Sequence, residues 1–303
     1  MTDIAVCVPL SEGQMARLRR GAEGCTLRAL APDAPCDCEV VFGNPDPGNV
    51  AGNAALRWLQ LESVGFGEYT SLDWTRSGGT VQVTNLAGFF ADPVAESALA
   101  GILALYRGID RLVRLQDRAE WQGDTIRPTL RRLSGARVVL FGFGAINRRL
   151  ADLLTPFGCA ITTLARGWTD DSLAAALSEA DIVVSTVPAT SQTAEVFSAA
   201  RFALMPRGAV FCNLGRGSAV DEAALDGALR SGHLGGAVID VTREEPLPQG
   251  HPFWTCPNLL LTQHSGGGTS DEIDRKIDHF LANLALYRAG RPLVGRVDFA
   301  RGY

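Results

Sequence analysis

Three residues stand where short apolar runs end. His264 follows Leu259–Thr262 and precedes Ser265-Gly266-Gly267-Gly268. Arg216 sits between Gly215 and Gly217, just after Ala209–Asn213. Glu244 and Glu245 follow Ala237–Asp240 and stand before Pro246. Guanidinium, imidazole and carboxylate are the groups that reduction of a 2-oxo acid requires. The guanidinium grips the carboxylate through paired N–H bonds and polarises the ketone. The imidazole donates the proton, and the carboxylate orients the imidazole. Singly, each has an ordinary reading: a loop arginine, a solvated acid before proline, a structural histidine. All three at successive strand ends are harder to explain that way. The other histidines lack this setting. His233 lies in a Ser-Gly-His turn, His251 in a proline-rich loop, and His279 on the last helix.

A second feature points to a nucleotide. Gly142-Phe143-Gly144-Ala145-Ile146-Asn147 follows the apolar run Arg137–Phe141 and opens a helical stretch. The first glycine allows the tight turn, and the second lets the backbone approach a pyrophosphate at the positive helix end. Asn147 replaces the third glycine of the dinucleotide fingerprint, a change expected to loosen helix–strand packing while sparing the phosphate-facing half. An NAD site carries an acidic residue about 20 positions further on. Here Ala160–Leu164 leads instead into Ala165-Arg166. An arginine in that place pairs with a 2′-phosphate, so NADP(H) is preferred, with NAD(H) possible.

The elements that must position these residues are strands alternating with helices. Apolar runs at Ile4–Val8, Leu27–Leu30, Glu39–Phe42, Arg57–Glu62 and Thr80–Val83 form one series. The runs named above, with Ile182–Thr186, form a second. Strands separated by helices predict parallel α/β sheets. Ser11 caps a helix through Arg20. A long helix is expected from an Asp92 cap and Pro93 at its first position, ending before Gly123. A last helix spans Asp271 to about Ala289.

Bulk composition removes other classes. The chain has 303 residues, about two domains' worth. Of its 28 basic residues, 27 are Arg and one, Lys276, is Lys. That disfavours a phosphate loop of the Gly-Lys type and Schiff-base chemistry. The net charge is −5 and no basic stripe appears, so nucleic acid is not an expected partner. The most apolar segment, Ala98–Tyr106, is too short to span a membrane, and no basic signal region is present. The 7 cysteines are scattered, which argues against a disulfide framework and, with only Cys36-Asp37-Cys38 close together, against a metal site. A reducing cytoplasm is the expected location.

With these residues in place, the chain resembles the D-isomer-specific 2-hydroxyacid dehydrogenase family. The matching segments are Asn213-Leu214-Gly215-Arg216-Gly217 with Val220-Asp221-Glu222 and Ala224-Leu225, then Ala237–Val241 through Glu245-Pro246-Leu247-Pro248. They continue with His251-Pro252-Phe253-Trp254, Pro257-Asn258, Leu261–Gly266 and the ending Val297–Tyr303. The match runs from about residue 60 to the end; residues 1–55 match in pattern only. The resemblance implies a Rossmann dinucleotide-binding domain at 87–271. It also implies a smaller, discontinuous flavodoxin-like α/β substrate domain at 1–86 and 272–303.

The resemblance further implies the roles. Arg216 binds substrate, His264 is the acid/base, and Glu245, directly before the proline, pairs with it, Glu244 being the competing carboxylate. The dinucleotide is held by Gly142, Gly144, Ala145, Ile146, Arg166, Val187, Pro188, Thr193, Leu214, Gly215, Asp240, Gly266 and Gly267, with Asp240 on the nicotinamide carboxamide. Gly65, Phe66 and Gly67 meet the substrate carboxylate through backbone N–H groups. The helix from Asp92 helps form a homodimer, and a cleft closes over the 2-oxo acid: glyoxylate, hydroxypyruvate or a larger one. Two further departures stand out. Gln263 replaces the proline that often precedes the histidine, a change in loop rigidity. Phe66, Glu68 and Tyr69 decorate the substrate loop and put the usual small substrates in doubt. Two alternatives remain open: the same scaffold with another hydride donor such as phosphite, and a non-enzymatic dinucleotide-sensing, corepressor-like protein.

Overall fold

The computed structural model describes residues 2–76 and 79–299; Ala300–Tyr303, part of the resembling ending, lie outside them. The chain divides into two compact units, residues 1–89 with 269–303 and residues 90–268. The sequence reading drew these boundaries at 86/87 and 271/272.

The first unit holds β1 (Asp3–Val6), α1 (Glu12–Gly21), β2 (Thr26–Ala29), β3 (Val40–Phe42), α2 (Pro47–Gly52), β4 (Trp58–Gln60), a small antiparallel hairpin of β5 (Thr75–Arg76) and β6 (Gly79–Thr80), and β7 (Gln82–Thr84). The returning chain adds the last helix, α10 (Glu272–Arg288). The parallel sheet has the order β2-β1-β3-β4-β7, the flavodoxin-like arrangement. Alternation along the strands sorts the core. Ile4, Val6, Val40, Phe42 and Trp58 pack with Leu18 of α1 and with Ile277, Phe280 and Leu284 of α10. Ala5, Cys7, Val41, Leu59 and Val83 pack with Phe66, Tyr69 and Trp74 on the other face. Ser11 caps α1 in a full capping box with Gln14. The single lysine is buried: Lys276 Nζ lies 2.8 Å from Glu272 and 3.3 Å from Glu62.

The second unit holds α3 (Ala91–Arg107), α4 (Ile109–Asp117), α5 (Gly123–Ile126), β8 (Arg137–Phe141), α6 (Ala145–Leu154), β9 (Ala160–Leu164), α7 (Asp170–Glu179), β10 (Ile182–Ser185), α8 (Ala199–Leu204), β11 (Val210–Asn213), α9 (Glu222–Arg230), β12 (Gly236–Ile239) and β13 (Leu259–Leu261). Its parallel sheet reads β9-β8-β10-β11-β12-β13. The chain steps outward from β8 to β9, then returns past β8 to β10. That reversal is a topological switch point, where a dinucleotide binds beyond the carboxyl ends of the strands. Both faces are covered. Val139, Phe141, Val183, Phe211, Ala237 and Ile239 point to one side, and Val138, Leu140, Ile182, Val184, Val210, Cys212 and Val238 to the other. Burial pushes the Cys212 thiol up to about 12, so it behaves as an inert apolar side chain.

Two expectations need correction. The long helix starts at Ala91 with Phe90 at the cap position, and Asp92 lies inside the first turn. There its carboxylate pairs with Arg149 at 2.6 Å and is not the N-cap. Helix does end before Gly123, at Asp117, but it is not continuous: Gly108, at φ +63°, divides it into α3 and α4. Asn147 does not loosen the sheet. Its side chain is fully buried, and Nδ2 donates to Gly142 O at 2.9 Å and to Phe141 O and Val184 O at 3.3 Å. It ties α6 to the end of β8 and to β10. Asn147→Gly, which restores the fingerprint glycine, is therefore expected to destabilise the protein by about 2 kcal/mol, read as a lower thermal midpoint. A raised midpoint would restore the loosening view.

Candidate active site

All six strands of the larger sheet end in residues that the sequence singled out. At the end of β8, Gly142 turns with φ +86°. A Cβ there would meet Val187 Cγ1 at 2.9 Å, so both conformation and space require glycine. Gly144 caps α6 without a side chain, and a Cβ built on it meets nothing within 4 Å. Gly144 and Ala145 are exposed and Ile146 is half-buried. The start of α6 thus has open space at Gly144 and a positive helix end, the features that suit a pyrophosphate. At the end of β9, Arg166 is exposed in the turn that leads to α7. At the end of β10, Val187 is buried, and Thr193 Oγ1 donates to Pro188 O at 2.6 Å, closing the loop on itself. Thr186 Oγ1 reaches Gly142 O at 2.8 Å and joins this loop to the glycine turn.

At the end of β11 the buried Asn213 sets the next turn. Its Nδ2 donates to Arg216 O at 3.0 Å and its Oδ1 accepts from Gly215 N at 3.3 Å. Arg216 is half-buried with one guanidinium N–H on Gly215 O at 2.7 Å. The glycines beside it do not serve conformational freedom. Neither takes a positive φ. A Cβ on Gly215 would lie 2.6 Å from Val187 O, and one on Gly217 2.0 Å from the Thr242 carbonyl carbon. They are glycines because the neighbouring loops press against them.

Past β12, Asp240 holds the final loop. Its Oδ1 accepts from Thr262 Oγ1 at 2.6 Å and Gly266 N at 3.0 Å, and its carbonyl accepts from His264 N at 2.6 Å. Asp240 therefore has an internal task beyond the dinucleotide contact expected of it. Gly266 has no room for a side chain against Asp240, nor Gly267 against Phe90. Ser97 of α3 adds a bond to Gly266 O at 3.1 Å. Gln263 and His264 both adopt left-handed backbone, with φ of +53° and +54°. Such strain in side-chain-bearing residues persists where surrounding bonds over-determine it. A proline, fixed near −65°, has no place at 263 in this path. The departure there is one of backbone course, not of rigidity alone.

These bonds bring the acid pair together. His264 Nδ1 lies 2.6 Å from Glu245 Oε2, while Glu245 Oε1 accepts from Thr242 N at 2.9 Å. With Nδ1 held by a carboxylate, Nε2 is the nitrogen left to exchange a proton with a ligand. Glu244 is not the partner: its carbonyl accepts from Thr242 Oγ1 at 2.8 Å. Thr242, Asn213 and Ser97 carry the site's geometry, and sequence reasoning gave none of them a role. Their bonds join residues far apart in the chain or ordinary loop neighbours, and no spacing signals them.

The predicted substrate loop lies in the first unit, after β4. There Phe66 and Tyr69 do not decorate the loop's outside. Phe66 is 5% exposed and sits edge-on to Phe299; Tyr69 is 1% exposed and donates its hydroxyl to Pro45 O at 2.7 Å. Of the three departures, Glu68 alone is left exposed on the outside of the loop.

A dinucleotide cradle at a switch point, with an arginine and a histidine–glutamate pair on the same strand ends, defines a nicotinamide-dependent oxidoreductase. Comparison with known proteins agrees. The family pattern described as D-isomer specific 2-hydroxyacid dehydrogenase, NAD binding domain, matches residues 99–266. A Streptomyces coelicolor protein described as the uncharacterized protein in the mprR 3′ region is 34% identical over 93% of this chain and 99% of its own. The glyoxylate/hydroxypyruvate reductase A of Salmonella heidelberg is 31% identical over 69% of this chain and 68% of its own. A D-isomer specific 2-hydroxyacid dehydrogenase from Xanthobacter autotrophicus, solved with NADPH and MES, superposes with a TM-score of 0.82 at 26% identity, covering 100% of this chain and 99% of that one. The chain belongs to the D-isomer specific 2-hydroxyacid dehydrogenase family. It is an NAD(P)-dependent oxidoreductase of that type, and among the described residues no helix is long and apolar enough to cross a membrane.

Proposed function

We propose that this enzyme reduces a small 2-oxo acid, of the glyoxylate or hydroxypyruvate class, to the 2-hydroxy acid, of D configuration where C2 is a stereocentre, with NADPH preferred over NADH. The observation that carries this reading is the 2.6 Å hydrogen bond between His264 and Glu245, in loops that follow strands of the same parallel sheet as the glycine turn. NADPH, when bound, supplies the hydride. Arg216 holds the substrate carboxylate and polarises its ketone. His264 Nε2 delivers the proton to the ketone oxygen, and Glu245 holds the imidazole to that task. The N–H groups at the start of α6 take the pyrophosphate. The reductase name of the Salmonella relative supports a small substrate. A homodimer is part of the proposal, supported by the exposed apolar face of α4, where Ile109 and Val113 are 49% and 51% exposed. With NADPH deuterated at both C4 positions the label should appear at C2 of the product; an unlabelled product would overturn the reading.

The cofactor preference rests on Arg166. A guanidinium–phosphate pair contributes about 1.5–3 kcal/mol. Arg166→Asp should therefore lower the ratio of kcat/KM with NADPH to that with NADH by roughly tenfold to a hundredfold. Wild-type protein that already favours NADH would show this assignment to be wrong.

A further inference from the structure

A second histidine–glutamate pair lies behind the first. His251 Nε2 is 3.3 Å from Glu222 Oε2, with the two side chains only 21% and 15% exposed. His251 Nδ1 accepts the Phe253 N–H at 3.2 Å, which fixes the proton on Nε2 and makes Nε2 the donor to Glu222. Asp226, one turn along α9, also faces His251 but is engaged by Arg230 at 2.8 Å. The second oxygen of Glu222, Oε1, accepts from the backbone N–H of Arg243 at 2.8 Å. Arg243 belongs to the loop 242–245 that ends in Glu245. Its guanidinium reaches Glu195 at 2.7 Å and Val220 O at 3.4 Å, holding the same loop from the outside. Next to it, Thr242 N donates to Glu245 Oε1 at 2.9 Å, and Glu245 Oε2 meets His264.

We propose that Glu222, oriented by His251, is a positioning residue that sets the course of loop 242–245 and so aims the Glu245 carboxylate at His264. The proposal rests on the reading of His264 and Glu245 as the acid pair. Glu245 is 35% exposed at its side chain and comes from a loop. A glutamate so placed has several rotamers open to it, and confining it to one costs conformational entropy. A charged acceptor on the Arg243 N–H is a strong bond to the loop backbone. Pinning that N–H fixes the peptide beside Thr242, and Thr242 N in turn selects the Glu245 rotamer. Gly217 completes the arrangement, because its missing side chain lets the Thr242–Arg243 peptide lie against the Arg216 turn.

The test is a double-mutant cycle with a spectroscopic readout that does not need turnover. Glu222→Ala and His251→Gln are made in wild type and in a Glu245→Gln background. Each should lower kcat by about tenfold in wild type, the scale of lost outer-shell bonds, and cause no further loss once Glu245 is gone. The KM for NADPH should stay unchanged. Glu222→Gln, which keeps an acceptor for Arg243 N, should recover part of the loss. In the protein without ligands, the downfield imidazole N–H resonance of the His264–Glu245 bond should broaden or vanish in Glu222→Ala. His251→Gln reads the same effect if Glu222→Ala fails to fold. Equal losses in both backgrounds, with that resonance unchanged, would overturn the positioning role. Full turnover in Glu245→Gln alone would instead refute the acid-pair reading, while the resonance still reports on positioning.

Discussion

Replacing His264 by alanine is expected to lower kcat by about two to four powers of ten, the range for loss of a general acid. The expectation follows from geometry. Nδ1 is bound to Glu245 at 2.6 Å, so Nε2 is the remaining ring nitrogen and the one to transfer a proton. The loss should fall on the chemical step and not on dinucleotide binding. The glycine turn after β8 and the loops after β9 and β10 do not depend on the imidazole, so KM for NADPH should hold. Folding should also hold, because the imidazole is largely exposed and its ring makes no other hydrogen bond among the described residues. Steady-state kinetics with a saturating 2-oxo acid, alongside thermal unfolding, separates these effects. Near-normal turnover in His264→Ala would remove the histidine from the mechanism.

The second large effect is expected at Arg216. Arg216→Ala should lower kcat/KM for the 2-oxo acid by about two to three powers of ten, corresponding to about 3–4 kcal/mol for loss of one partner of a buried charge pair. Arg216→Lys should recover only part of this. A lysine keeps the charge but offers a point contact where guanidinium offers a fork. The Asn213 bonds go to the backbone of residues 215 and 216 and survive both substitutions, so the turn itself should persist. A useful control is a substrate analogue in which the carboxylate is replaced by an amide. Wild type should discriminate strongly against it, and Arg216→Ala should not. Equal discrimination by both proteins would place the carboxylate elsewhere.

Much of this arrangement was legible because local rules carried it. The strands Arg137–Phe141 and Ala160–Leu164 were read to the residue, since a bounded apolar run between turn signals has few other solutions. The strand-end chemistry was legible for the same reason: polar residues and glycines directly after such runs face the crevice of a parallel sheet. What escaped depended on partners distant in sequence. Asp92 looks like a cap, but its carboxylate is spent on Arg149 of another helix. Gly217 looks like a hinge, but the Thr242 peptide is what forbids its side chain. Asn147 reads as a defective glycine until its three acceptors, on β8, on the glycine turn and on β10, are seen. Left-handed backbone at Gln263 and His264 had no signal either, because glycine is the residue that announces a positive φ. The inward turn of Phe66 and Tyr69 was likewise hidden, since a large ring in a loop reads equally well as core or as site.

The most direct measurement follows consumption of reduced nicotinamide when the purified protein meets 2-oxo acids of increasing size, first with NADPH and then with NADH, together with the chirality of the product. The expected result is turnover of at least one small 2-oxo acid, faster with NADPH, giving the D-2-hydroxy acid wherever the product is chiral at C2. Consumption of neither dinucleotide across the whole panel would contradict the reductase assignment.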